Sequence, residues 1–328
     1  MKQAFRRLLL PLVLGLTLML GSAGFAAGPP VRIKVLLDWV PNTNHTGVYA
    51  AKELGYYRQD GLEAEIIQPA ESDSAALVAA GKAEFGFSYQ EQVTYARTAD
   101  NPLPIKAVAA VIQHNTSGFA APAAQKIKTP RDFEGKVYGG WGAPMEETML
   151  RALMKKYGAD FKKVRMVNIG SADFFASVQK DVDFSWIFYG WDGVAAELQG
   201  FPINFIRLRD LEPGLDYYTP VLIASEATLE KRPELVKRFL RATARGYRYA
   251  IDHSEPAAKI LLKHAPEIDP ALAVASQKYL SREYIDDAKR WGEMKLATWI
   301  GYAGWMSENG LLSRKLNAKE AFTNEFLP

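Results

Sequence analysis

The 328-residue chain carries 40 Lys and Arg against 37 Asp and Glu, four histidines and no cysteine. The missing cysteines exclude disulfides, thiolate metal sites, iron–sulfur clusters and cysteine nucleophiles, and His45, His114, His253 and His264 lack the close spacing of a metal-binding motif. No clustered basic footprint of the kind nucleic-acid binders use is present, while 48% apolar residues in a chain of about 300 are enough for a large core and usually for two domains.

Residues 1–26 read as a secretory signal peptide. Lys2, Arg6 and Arg7 make a positive start, residues 8–20 an apolar run, and Gly24-Phe25-Ala26 a small-x-small cleavage signal. That run is shorter than the roughly 20 residues a membrane-spanning helix needs. Its three basic residues account for the whole charge excess, leaving 37 against 37 in the remainder. A neutral or mildly polar small ligand suits such a chain. With no cysteine after the cleavage signal, no lipid anchor is expected, and the mature protein is expected free in a periplasm.

The next stretch organises the rest. Residues 31–37 read as a strand entering a core, and the Ala/Lys/Glu/Leu chemistry beyond Tyr49 reads as a helix. Between them lies Asp38-Trp39-Val40-Pro41-Asn42-Thr43-Asn44-His45-Thr46-Gly47, which joins an indole face to several hydrogen-bonding side chains at a helix start. In open α/β sheets ligands sit at such junctions. Asn44 or Thr46 capping the helix, Pro41 and Asn42 making a turn, and Trp39 in the core would give the same composition. The residues alone leave both readings open.

Further along, strands are expected at 62–68, 83–89 and 105–113, with helices at 74–82 and 90–98 between them. The polar passage 114–118 reads as a crossing point, after which the alternation restarts. Strands are expected at 136–140, 164–169, 182–189 and 204–208, with helices at 144–157, 172–179 and 192–199. The segment 217–225 reads as a returning strand. From Thr228 onward the pattern is helical, over 230–253, 256–264, 270–280, 293–309 and 318–326. Alternating strands and helices imply parallel units with right-handed crossovers. The fold class expected is therefore α/β and two-lobed, each lobe a mostly parallel sheet flanked by helices, with a helical C-terminal part. Residues 27–117 with 218–328 would form a discontinuous first lobe, and 118–217 an inserted second.

Other strand ends repeat the pairing of an aromatic with a polar group: Ser88-Tyr89-Gln90-Glu91, Gly139-Gly140-Trp141 running to Glu146-Glu147, and Trp186-Ile187-Phe188-Tyr189-Gly190-Trp191-Asp192. Stacking on such rings suits a flat heteroaromatic ligand, and a carboxylate suits an exocyclic amine or a protonated ring nitrogen. Glu146, Glu147 and Asp192 are the carboxylates in place, although acidic residues also favour a first helical turn and Asp is a common cap. Trp141 and Tyr189, beside glycines that let a ligand approach the backbone, are expected in a pocket. Phe188 is read as core, and Trp291, Trp299 and Trp305 as packing residues of amphipathic helices. His45 invites a general-base reading, but no partner constellation accompanies it in the sequence.

The run D-W-x-P-N-T-N-H-T-G, followed by an alanine-rich turn and K-E-x-G-Y-Y, resembles the opening of periplasmic solute-binding proteins similar to the thiamine-pyrimidine-precursor synthases. Within that group it looks most like the binding components of transporters for thiamine pyrimidine precursors. The likeness is strongest over 38–57 and weaker at 139–147 and 190–191. It implies a two-lobed binding protein of an ABC importer, acting as a monomer, with a membrane permease as partner and no cofactor. The implied ligand is a formylamino- or hydroxymethyl-aminopyrimidine. Trp39, Tyr89, Trp141, Tyr189 and Trp191 would wall the ring, and Asn44, His45, Glu146 and Asp192 would read its edge. Fungal synthases of this kind carry a cysteine-rich iron-binding segment near the position of 185–191, which this chain lacks, so an enzyme is not expected. The alternatives are a binding protein for riboflavin or an alkanesulfonate, and a pyrimidine-synthase-like enzyme. A sulfonate site would need Arg, Lys or bare backbone amides at the strand ends, where aromatics stand instead.

Overall fold

The computed structural model describes residues 29–69, 74–170 and 172–328. The expected signal peptide lies outside them. The strands of the first half are β1 (Val31–Leu36), β2 (Leu62–Ile67), β3 (Phe85–Ser88), β4 (Ile105–Ala110) and β5 (Ser117–Pro122). Then follow β6 (Val137–Gly140), β7 (Arg165–Asn168), β8 (Phe184–Phe188), β9 (Ile203–Arg207) and β10 (Val221–Ser225). They form two five-stranded sheets, ordered β2-β1-β3-β10-β4 and β7-β6-β8-β5-β9.

Within each sheet one strand is reversed. β1 pairs in parallel with β2 and β3, whereas β10 runs antiparallel to β3 and β4. Likewise β6 pairs in parallel with β7 and β8, and β5 runs antiparallel to β8 and β9. The reversed strands are the two that the chain enters on changing sheets, from β4 to β5 and from β9 to β10. Both sheets are therefore mixed, with four of five strands pointing one way. The sequence showed no strand at β5, whose residues SGFAAP have little strand propensity. It forms because Gly118 leaves room for the Ile206 carbonyl and the Phe205 ring, which a Cβ would strike.

Two crossings run side by side. The Val111 amide donates to the Pro220 carbonyl at 3.0 Å, and the Asn115 side-chain amide to the Leu215 carbonyl at 2.9 Å. On one face of the first sheet, Val35, Phe85 and Phe87 pack with Phe239 and Tyr247 of the helix Pro233–Asp252. That helix lies close on the helix Thr46–Glu53: a Cβ at Gly246 would strike the Gly47 carbonyl, and one at Gly47 would strike the Tyr247 ring. The other face is covered by a cluster containing Trp299 and Ala303, while Tyr302, Trp305 and Met306 of the same helix, Leu296–Glu308, join the core of the second sheet with Phe119, Tyr138 and Phe184. One C-terminal helix thus packs on both lobes. Trp291, Trp299 and Trp305 are all buried, as packing residues are. No helix among the described residues is long and apolar enough to cross a membrane.

Candidate functional site

A cavity of about 680 Å³ opens between the sheets. Its walls are the segments that follow β1, β3, β6 and β8, so both lobes meet it through the carboxyl ends of their parallel strands, where α/β sheets place ligands. Asp38, Trp39, Asn42, Asn44, Tyr89 and Glu91 line it from the first lobe; Trp141, Ser185, Trp186, Phe188, Trp191 and Asp192 line it from the second. Thr116, Tyr217 and Thr219, on the crossings, complete it.

The two indoles the sequence singled out share this space. Trp39 is 49% exposed and Trp141 44%, so each offers a large apolar face to an incoming molecule. Behind Trp141 stands Trp186, centroids 5.1 Å apart and tilted by 47°. Trp191 and Tyr89 also line the cavity, half-buried. Phe188, expected in the core, lines it as well: the strand ends there, so its ring meets the cavity and not a facing sheet.

The loop after β1 is built from its own polar groups. Asn42, in extended conformation, accepts from the Asn44 amide at 2.9 Å, and His45 Nδ1 accepts from the Asn42 amide at 3.2 Å. Because Nδ1 accepts, Nε2 carries the proton and donates to Asp38 Oδ1 at 2.7 Å. The imidazole is fully buried and set edge-on to Phe87. His45 therefore stands behind the wall, and Asp38, which the sequence reading did not place among the site residues, presents the carboxylate. Burial and the nearby Asp38 charge push the Tyr89 hydroxyl well above its ordinary value. Long-range bonds hold the loop in place. Thr43 Oγ1 lies 2.6 Å from Ser276 Oγ, Tyr247 donates to the Asn44 carbonyl at 2.6 Å, and the Tyr284 hydroxyl donates to the Thr43 carbonyl.

Glu146 is placed differently from the expectation. It is 1% exposed and does not line the cavity. It accepts from the Tyr138 hydroxyl at 2.6 Å and from the amides of Trp141, Gly142 and Ala143 at 3.2, 2.8 and 2.9 Å. A carboxylate at the start of the helix Pro144–Lys156 satisfies amides that have no helical partner. Glu147 is exposed and pairs with Arg151. Tyr189 also leaves the wall: its hydroxyl donates to Glu197 and its ring packs 4.9 Å from Phe205 and 5.5 Å from Tyr279. The glycines Gly139, Gly140 and Gly190 do line the cavity, although a Cβ on any of them would point away from open space. The spaces beside Gly139, Gly140 and Gly190 are taken by Val182, Glu146 and Leu280.

The carboxylates that do line the cavity are Asp38, Glu91 and Asp192. Burial, with the Glu146 charge adding to it, pushes Glu91 up to about 7. Burial pushes Asp192 up to about 6. Ser185 Oγ and Trp186 Nε1 are buried without a hydrogen-bond partner among the described residues, on the cavity wall. Trp186 opens a strand end the sequence reading singled out, though it was not named among the site residues, and Ser185 was not marked. Ser185 has no motif around it, and its strand position is the one signal that could have found it. Among the described residues, no group of three His, Asp or Glu is arranged to hold a metal ion.

Two mixed sheets flanked by helices, with a cleft between them and two crossings beside it, define the two-lobed periplasmic-binding-protein fold. The solved periplasmic aliphatic sulphonate binding protein SsuA from Escherichia coli superposes with a TM-score of 0.68 at 18% identity, over 89% of this chain and 92% of that one. The family is set by sequence: residues 42–257 match the NMT1/THI5 like model, and the chain belongs to that family. Its relatives include a formylaminopyrimidine-binding protein from Halalkalibacterium halodurans, 28% identical over 89% of each chain. A 4-amino-5-hydroxymethyl-2-methylpyrimidine phosphate synthase from Legionella pneumophila is 26% identical over 90% of this chain and 92% of its own.

Proposed function

We propose that this protein is the periplasmic solute-binding component of an ABC importer, and that it holds an amino-substituted pyrimidine of the thiamine-precursor class between its lobes. The observation that carries this reading is that Trp39 and Trp141, from opposite lobes, line one cavity together with Asp38, Glu91 and Asp192. Indole faces suit a flat ring, with stacking worth on the order of 0.5–1.5 kcal/mol per pair beyond area burial. Carboxylates suit its amino group and ring nitrogen. The formylaminopyrimidine-binding relative supports the ligand class. The synthase relative makes an enzyme the competing reading, but the one histidine of the opening loop is sealed behind Asp38, out of reach of a bound molecule. On this reading residues 27–117 with 218–328 and residues 118–217 are the two lobes, which close about the crossings. The ligand favours the closed state by its differential affinity, and a membrane permease reads it.

Titration calorimetry tests it with formylamino- and hydroxymethyl-aminopyrimidine, with riboflavin and an alkanesulfonate as controls. A pyrimidine is expected to bind with micromolar affinity or better, and Trp39→Ala or Trp141→Ala to weaken it about tenfold each. No heat with either pyrimidine would end this reading.

A further inference from the structure

Between β6 and the helix Pro144–Lys156 the backbone turns three successive amides, those of Trp141, Gly142 and Ala143, toward one point. Converging amides at a helix start are how proteins commonly hold a phosphate or sulfonate. Here the point is taken. The Glu146 carboxylate sits on all three amides and on the Tyr138 hydroxyl, buried to 1% exposure. Its four donors leave the cradle no capacity for a second anion. Elsewhere on the wall the described lining residues include no Lys, Arg or His; the charged groups are Asp38, Glu91 and Asp192, and the donors buried without a partner, Ser185 Oγ and Trp186 Nε1, are neutral.

We infer that Glu146 is a built-in anion closing the amide cradle, and that with Asp38, Glu91 and Asp192 it restricts the cleft to unphosphorylated, unsulfonated heterocycles that bear amine donors. This rests on the cleft being a heterocycle site and adds a rule of charge to it. A phosphorylated or sulfonated ligand would meet carboxylates with no cation among the described lining residues and only neutral donors to set against them, in surroundings where like charges repel more strongly than in water. An amine instead finds acceptors. Glu91 is raised chiefly by burial, and the Glu146 charge adds to it in the same direction.

The test compares matched ligands on the full chain: hydroxymethyl-aminopyrimidine with its phosphate ester, riboflavin with its 5′-phosphate, and inorganic sulfate alone. In whichever pair binds, the ester is expected to be weaker by more than about tenfold, and sulfate to bind no better than millimolar. An ester within tenfold of its alcohol, or tighter, overturns the inference, as does sulfate binding tighter than millimolar. If the flavin pair binds and the pyrimidine pair does not, the proposed ligand class fails while the charge rule is still read from the flavins. The variant Glu146→Ala empties the cradle and is expected to gain at least about tenfold in affinity for sulfate. A folded variant without that gain also overturns the inference; should it not fold, the wild-type sulfate measurement decides.

Discussion

The two tryptophan-bearing walls of the cleft are built alike and fastened differently. Each follows a parallel strand, each starts a helix, and each satisfies its loose amides with a buried side chain: Asn42 and His45 in one lobe, Glu146 in the other. The first wall is then tied to residues far away in the chain, through Ser276, Tyr247 and Tyr284. The second draws its amide acceptor from within five residues of Trp141. One wall depends on the C-terminal helices; the other depends chiefly on one local carboxylate.

That contrast can be broken most forcefully at Glu146. Glu146→Ala leaves one buried and three part-buried donors unpaired and is expected to lower stability by about 4 kcal/mol, read from urea unfolding. A loss below about 1 kcal/mol would show that the second wall has other fastenings. Gly246→Ala attacks the first wall from behind, since its methyl would strike the Gly47 carbonyl and push apart the helices that seat the loop. About 3 kcal/mol is expected, with weaker ligand binding. Ser276→Ala removes one of several ties and should cost about 1 kcal/mol. If it costs as much as Glu146→Ala, the two walls are fastened equally.

The remaining expected effect is one of pH. Because Glu91 sits at about 7 in the folded protein, above its ordinary value, the folded state holds a proton that the unfolded chain has already released. The contribution of Glu91 to stability should therefore be fully present below about 4.5 and be lost as pH rises toward 7, by at most about 3 kcal/mol. Glu91→Gln should flatten that part of the pH–stability curve; Asp192, raised to about 6, leaves a smaller slope of the same sign. An unchanged slope in Glu91→Gln would place the pH sensitivity elsewhere.

The fold was legible where residues repeat with a period. Alternation of strands and helices implied two α/β sheets, and apolar spacing marked Trp291, Trp299 and Trp305 as packing residues, of which Trp299 and Trp305 lie in a helix and Trp291 in the turn segment before it. β5 was not legible, because glycine and alanine carry no strand signal and its place in the sheet depends on Phe205 and Ile206, remote in sequence. The candidate site shows the same division. Trp39, Asn44, Tyr89, Trp141, Trp191 and Asp192 line the cavity, at strand ends recognisable in the chain. His45, Glu146 and Tyr189 lie at such ends too, but their side chains turn toward Asp38, toward backbone amides and toward Glu197.

Sequence by itself determined the family, the alternation that produces two sheets, and the junctions where aromatic and polar residues gather, because these depend on local composition and period. Tertiary structure alone decided which carboxylates face the cavity. Asp38, Glu91 and Asp192 face it and Glu146 does not, since a carboxylate turns toward whatever donors lie within reach, and those donors are positioned by folding.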